Sequence, residues 1–373
     1  MGILFSAPQI EFQIIRERWL EAVEQLAKRG VFVGGPSVGS FEQAFASFSG
    51  SEGSVGLGNG TDALYLALKA LGIGHGDEVI TATNTFIATV EAIHHTGATP
   101  VLVDCCEDTF LIDIEQVKAV VTPRTRAIIA VHLYGQMADL SELIPWAGER
   151  GIEIIEDCAQ AAGARLDGKG AGSLGALGCF SFYPDKNLGA IGDGGAVISS
   201  SPQLLSLLRK LRNHGGETRY EHEIAGFNSR LDPIQAIALE LKLAYLDDWS
   251  CHRRSMAACY RSYLDGAASI IVPSDRGDES HVYHLFVVRV DTQIRETLRK
   301  QLQKKGILTA VHYPLPVHQT PAFRHLGYDS GTFPVAEQLS KEIISLPMHI
   351  GMTERDVQEI AGVVKEVLGK ITA

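Results

Sequence analysis

Apolar runs rich in β-branched residues recur along the first half of the chain: DEVITAT, TPVLVDC, RAIIAVHLYG, GIEIIEDCA, GCFSFYP and GGAVISS. They are nearly continuous rather than alternating, so they predict strands buried on both faces, as in a mainly parallel sheet covered by helices. Between them, TDALYLALKALG, IEQVKAVV and DLSELIPWAGERG carry the spacing of amphipathic helices. Alternation of the two patterns predicts an α/β domain. From Pro233 the pattern changes to long helices, PIQAIALELKLAYLDDW and HRRSMAACYRSYLDG, followed by a stretch whose clearest strand is HVYHLFVVRV. The expected organisation is a large α/β domain over residues 1–248 and a small C-terminal α+β domain over 249–373, with the change in the linking helices near Trp249. Neither an internal repeat nor a low-complexity segment interrupts it.

Composition narrows the partners. The chain has 373 residues, 45% hydrophobic and 21% charged, and a formal net charge of −11. That balance argues against nucleic acid, whose binding needs a basic face that releases phosphate counterions. The six cysteines include no CxxC pair and no metal-like spacing, which suits a reduced cytoplasmic protein without a metal. MGILFSAPQIEF lacks a basic start and a sustained apolar run, so neither a signal peptide nor a membrane anchor is expected. It fits the loose MGxxxS pattern for myristoylation, but the acidic chain offers no second membrane signal.

Three local features carry candidate chemistry. Asp157 ends the buried run GIEIIEDCA, at the strand edge where open α/β sheets bind ligands, although a turn or cap aspartate explains it equally well. VGLGNGTDALYLALKAL is a glycine-rich turn entering a helix at Thr61, a junction whose free N–H groups and dipole suit a phosphate, with the Thr61 hydroxyl as cap and donor. A dinucleotide would require an acidic residue at the end of the next strand, and EVITATNTF ends in Thr and Asn. Lys186, in CFSFYPDKNLGAIGDGGAV, lies between aromatics and glycines, where partial desolvation keeps an amine nucleophilic and able to form a Schiff base; a solvated loop lysine is the alternative. A phosphate cradle, a strand-end carboxylate and such a lysine together meet the requirements of pyridoxal 5'-phosphate.

The segments GNGTDALYLALKALGIGHGDEVI, NTFIATVEAI, EDCAQAAGA, CFSFYPDKNLGAIGDGGAV and AGFNSRLDPIQAIAL resemble, in this order, the DegT/StrS-type sugar aminotransferases. The resemblance covers nearly the whole chain. It implies a fold-type I pyridoxal-phosphate aminotransferase, a homodimer with shared active sites, that moves an amino group from L-glutamate to a nucleotide-linked keto sugar. By the family pattern Lys186 is the Schiff-base lysine, Asp157 partners the ring nitrogen, Gln160 contacts the ring hydroxyl and Phe86 lies against the ring face. Gly60, Thr61 and Ser181 fall where the family binds the cofactor phosphate, and Asn228 and Arg230 lie in the stretch that reaches the partner subunit's site. The segment VHYPLPVHQTPAF nominates His312, Tyr313 and His318 as sugar-nucleotide residues, or is a proline-stiffened surface loop. The basic run RNHGGETRYEHE brings Arg219 to a diphosphate or is solvated.

Tyr183 sharpens the substrate. Family members that act on 4-keto sugars commonly carry histidine here, whereas those resembling FYPxKNLGAxGDGG act on 3-keto sugars; period-two alternation places Ser181, Tyr183 and Asp185 on one face. The resemblance therefore implies a 3-keto-6-deoxyhexose, dTDP-linked, with a 4-keto substrate as the alternative. Two other readings have less support. Family dehydratases carry histidine in place of Lys186, and a non-catalytic sensor of cofactor or sugar nucleotide would not need the intact Lys186–Asp157 pair.

Overall fold

The computed structural model describes residues 2–218, 220–267 and 269–371; Arg219 lies outside them. Two helices, α1 (Pro8–Arg29) and α2 (Pro36–Ser49), precede β1 (Gly53–Leu57). Helices and strands then alternate: α3 (Gly60–Ala70), β2 (Glu78–Ala82), α4 (Ile87–Thr96), β3 (Thr99–Val103), α5 (Ile114–Val120), β4 (Thr125–Val131), α6 (Leu143–Gly148) and β5 (Glu153–Asp157). A short ribbon, β6 (Arg165–Leu166) with β7 (Lys169–Gly170), leads to β8 (Leu177–Ser181), β9 (Gly195–Ser199), α7 (Pro202–Leu211), α8 (Pro233–Leu243) and α9 (Leu246–Leu264). The remainder is β10 (Ile270–Ile271), β11 (Phe286–Val290), α10 (Thr292–Lys304), α11 (Pro334–Glu342), β12 (Ile343–Leu346) and α12 (Glu354–Ile371).

Each of the six apolar runs supplies one strand of a seven-stranded sheet ordered β1-β9-β8-β5-β4-β2-β3. β1 is the strand the pattern did not show, because two glycines in GSVGL thin its apolar signal. The sheet is mainly parallel, and β9 alone runs against both its neighbours, β8 and β1. Every residue of β2 and β9 is buried, as continuous apolar runs require. Under β8, Phe45 of α2 meets Phe180 edge-on at 4.9 Å and Phe182 at 5.3 Å. Such aromatic pairs add about 0.5–1.5 kcal/mol beyond their buried area.

The run PIQAIALELKLAYLDDW breaks earlier than its pattern suggests. The first helix stops at Leu243 and the second starts at Leu246, so Trp249 sits in the first turns of α9. That helix changes core along its length: Leu246 packs with Phe41 and Phe182, whereas Met256 to Leu264 pack with β11, β12 and α12. Trp249, the expected change of domain, lies between the two.

Beside Asp157, the fully buried Glu156 faces the opposite side of the sheet. Its oxygens accept N–H groups from Gly172, Leu174 and Gly175 at 2.7–2.9 Å and meet His132 Nε2 at 2.8 Å. His132 Nδ1 accepts the Ala138 N–H at 3.0 Å, so the ring proton sits on Nε2 and donates to Glu156. With Cys158 these residues form a compact cluster of metal-type donors, but the Glu156 oxygens and both His132 nitrogens are already engaged within the fold, and the Cys158 thiol donates to Glu156 O at 3.7 Å. Glu156→Ala leaves four donors without an acceptor, those of Gly172 and His132 buried and those of Leu174 and Gly175 partly so, a cost on the order of 3–5 kcal/mol. The expected outcome is a melting midpoint lowered by about 5 °C or more, read by calorimetry; a loss under about 2 °C would refute this account of the carboxylate.

Candidate active site

The reversed strand sets the position of Lys186. The chain leaves the sheet after Ser181 and returns at Gly195, which is paired with Ser181, so residues 182–194 form a closed excursion at the C-terminal edge of β8. Three backbone bonds tighten it: Phe182 N to Gly194 O at 2.8 Å, Ala190 N to Phe182 O at 2.7 Å and Lys186 N to Tyr183 O at 2.8 Å. Next to it runs the turn into α3. A Cβ on Gly195 would lie 2.3 Å from Asn59 O, and one on Gly60 would lie 2.6 Å from Ser181 Cβ, so both glycines allow these backbones to touch.

That contact places the start of α3, the edge of β5 and the lysine loop around one cavity of about 630 Å³. Its wall includes Gly60, Thr61, Phe86, Asp157, Gln160, Ser181, Tyr183, Lys186, His312 and Tyr313, ten of the residues the sequence nominated. The cap of α3 differs from the expectation. Asn59, not Thr61, is the N-cap, its side chain accepting the Asp62 N–H at 2.8 Å. The cap therefore lies two residues before Thr61, and the helix itself begins at Gly60. Among the described residues the amides of Gly60 and Thr61 find no acceptor in the chain, which leaves them free for an anion at the helix N-terminus.

Asp157 lies at the end of β5, buried, with Oδ2 accepting from Thr89 Oγ1 at 2.8 Å and Oδ1 from the Ala159 N–H at 3.1 Å. Thr85 Oγ1 is 2.8 Å from Thr89 Oγ1 and extends the chain. Burial raises the Asp157 pKa, opposed by the Thr89 and Ala159 bonds and by the charge of Lys186. Burial likewise lowers Lys186 to about 8, opposed by Asp157 and Asp185. Each group is pushed toward neutrality by desolvation and held back by the other.

The opposite wall comes from the C-terminal part. Gln160 Oε1 accepts the Tyr134 N–H at 2.6 Å and its Nε2 donates to the Tyr313 hydroxyl at 3.1 Å, which fixes the amide's orientation. Tyr134 donates its hydroxyl to His312 O at 2.5 Å. Tyr313 faces Phe86, the ring centroids 5.5 Å apart. His312 Nδ1 is 2.8 Å from Ser345 Oγ, and burial, reinforced by Lys186, lowers its pKa to about 4. His284 also lines the cavity, its pKa depressed by burial and then by Lys186, and its Nδ1 is buried without a partner. The sequence does not single out His284, because HVYHLFVVRV reads as one strand, whereas β11 begins at Phe286.

Three nominated residues lie elsewhere. His318 is buried, with Nδ1 2.8 Å from Thr83 Oγ1 and Nε2 3.2 Å from Glu337 Oε1, and it does not line the cavity. Its ring is committed to protein partners, which corrects its nomination as a substrate residue. Arg230 donates to Asn213 Oδ1 at 2.9 Å in a separate surface pocket with Arg209 and Arg212, and Asn228 is exposed beside it. Tyr183 is 54% exposed at the mouth of the cavity. The strand stops at Ser181, so period-two alternation does not extend to Tyr183 and Asp185; the turn carries them to the same cavity.

A family model described as the DegT/DnrJ/EryC1/StrS aminotransferase family matches residues 13–365. The chain is 44% identical over 337 residues to the dTDP-3-amino-3,4,6-trideoxy-alpha-D-glucose transaminase of Streptomyces venezuelae, covering 90% of this chain and 88% of that one. It is 42% identical over 357 residues to the UDP-N-acetyl-3-dehydro-alpha-D-glucosamine 3-aminotransferase of Acidithiobacillus ferrooxidans, covering 96% and 95%. Among solved structures, S. venezuelae DesV in complex with a ketimine intermediate superposes with a TM-score of 0.95 at 41% identity, covering 98% of both chains.

The charge balance of the cavity generates a test that needs no turnover. In cofactor-free protein, the pH dependence of Lys186 acylation, followed by peptide mass spectrometry, is expected to have its midpoint near pH 8. Asp157→Asn removes a charge that raises the lysine's pKa, so its midpoint moves lower still. A native midpoint near 10.5, the ordinary lysine value, would show that the amine is solvated.

Proposed function

The chain belongs to the DegT/DnrJ/EryC1/StrS aminotransferase family, and from that premise we propose that it transfers an amino group from L-glutamate to a nucleotide-linked 3-keto sugar. The observation that carries this reading is the single cavity holding Lys186, Asp157 and the free N-terminus of α3. Aminotransferases of this family depend on pyridoxal phosphate, and the donor set fits it. The Gly60 and Thr61 amides and the Ser181 hydroxyl would hold the phosphate, Asp157 the ring nitrogen, Gln160 the ring hydroxyl and Phe86 the ring face. When bound, the cofactor supplies an aldehyde that exchanges amino groups and a ring that accepts electrons from the carbon next to nitrogen.

The chain's own groups then have defined tasks. Lys186 Nζ takes and returns the proton at the substrate carbon. With its pKa lowered to about 8, about a tenth of the amine is neutral at pH 7, against roughly one part in three thousand at an ordinary lysine. Asp157 would keep a proton on the ring nitrogen of a bound cofactor by its charge, and the Thr89 and Ala159 bonds favour the ionised carboxylate that this requires. His284 and His312, both held neutral, accept or donate hydrogen bonds to substrate without adding positive charge beside the lysine. Tyr183 at the mouth orients the sugar.

A second copy completes the site. Among the described residues lining the cavity Lys186 is the one cation, facing Asp62, Asp157, Asp185 and Asp193, so these residues have little to neutralise a cofactor phosphate and a sugar diphosphate together. Arg230 shares its surface pocket with Val33, 58% accessible, and the adjacent Phe32 is 60% accessible, apolar surface suited to a homodimer. No described helix is long and apolar enough to cross a membrane. All six cysteines are free, in keeping with a cytoplasmic enzyme.

Two experiments test this reading. Mixing Lys186→Ala chains with Asn228→Ala/Arg230→Ala chains is expected to regenerate active sites in the heterodimer, measured as activity absent from either parent. Heterodimers that form without activity would place the arm in its own subunit's site. Incubation with glutamate and matched 3-keto and 4-keto dTDP-sugars, with UDP analogues alongside, is expected to favour the 3-keto compound. Preference for the 4-keto compound by more than about tenfold, or ~1.4 kcal/mol, would overturn the 3-keto assignment.

A further inference from the structure

Phe86 and Tyr313 face each other across one wall of the cavity but come from distant parts of the chain, the turn before α4 and the segment before β12. Thr83, three residues before Phe86, is joined to His318, five residues after Tyr313. The join is fully accounted for. Val317 N–H donates to Thr83 O at 3.0 Å and His318 N–H to Thr83 Oγ1 at 3.3 Å. Glu337, whose pKa is lowered despite its burial, largely by the Gly331 and Phe333 N–H bonds, offers only acceptors, so His318 Nε2 carries the ring proton and donates to it. His318 Nδ1 is then an acceptor, and the Thr83 hydroxyl donates to it at 2.8 Å. Glu337 also gathers the Gly331 N–H at 2.7 Å and the Ser330 hydroxyl at 3.2 Å, which ties the following loop to the same point.

We propose that His318 is a positioning residue: through Thr83 on one side and Glu337 on the other, it latches the segment bearing His312 and Tyr313 against the turn bearing Phe86, and so sets the width of the sugar-binding wall. The role in sugar binding rests on the proposed function; the latch does not. The physical reason is that a buried histidine with both nitrogens bonded has one low-energy position, and the backbone on either side follows it. Loss of the Thr83 bond frees the segment on the cavity side, whereas loss of the Glu337 bond frees the loop beyond it.

Two replacements separate these links. His318→Asn places an amide oxygen where Nδ1 lies and retains an acceptor for Thr83; His318→Gln reaches Glu337 and abandons Thr83. Thr83→Val removes the hydroxyl at nearly constant shape. In folded, cofactor-loaded protein, His318→Gln and Thr83→Val are expected to raise KM for the keto sugar nucleotide tenfold or more, leaving the rate of the glutamate half-reaction within about threefold. His318→Asn is expected to regain most of the native KM, and Thr83→Val/His318→Gln to be no worse than either single change, since both break one link. Amide hydrogen exchange provides a readout independent of turnover. The Val317 and His318 amides exchange at least tenfold faster in His318→Gln and Thr83→Val and return toward the native rate in His318→Asn. Native exchange in both broken-link variants would overturn the latch, as would equal losses in both half-reactions. If the native enzyme aminates no keto sugar nucleotide, the proposed function fails, and the exchange rates alone decide the latch.

Discussion

The pairing of Ser181 with Gly195 is the constraint on which the site depends. It turns the chain back on itself at the sheet edge, so the loop between has one way to lie: across the end of β5 and against the start of α3. A parallel return would have carried residues 182–194 around the outside of the sheet, away from Asp157. Because β9 is antiparallel to β1 as well, the same strand that closes the lysine loop fixes β1, and with it the Asn59 cap that starts α3.

Desolvation is the second consequence of that geometry. Lys186 and Asp157 are close enough to influence one another, and burial opposes the charge of each. Neither effect alone suits transamination. An isolated buried lysine would be neutral with no carboxylate beside it, and a solvated pair would keep the amine protonated. The fold sets an intermediate balance, through the Thr89 and Ala159 bonds that favour the charged carboxylate and through the two neutral histidines that add no charge beside the lysine.

The second wall shows how a fold joins parts of a chain that no local pattern connects. Tyr134 and Gln160 hold His312 and Tyr313 from below by hydrogen bonds to a backbone oxygen and a phenol, while Thr83 and Glu337 hold the same segment from its far end. The Thr83 and Glu337 bonds are buried and the other two partly so, which makes them costly to break and leaves them few alternatives. That makes the wall a property of the packed molecule rather than of the segment VHYPLPVHQTPAF, whose prolines stiffen it without deciding where it lies.

The chain by itself determined whatever depends on neighbours in sequence. Continuous apolar runs marked six strands of the main sheet, and the glycine turn, the strand-end aspartate and the aromatic-flanked lysine were each legible from a few adjacent residues, because burial on both faces, helix capping and loop conformation are local demands. Tertiary structure decided whatever depends on pairing. The reversal of β9, the strand hidden in GSVGL and the diversion of His318 from a substrate role to Thr83 all turn on partners far along the chain, 235 residues away in the last case, and His284 is left facing the cavity by what packs around it. A histidine reads the same in sequence whether its nitrogens face solvent, substrate or a buried threonine. Only the arrangement of the elements around it supplies the partner, and the partner sets the role.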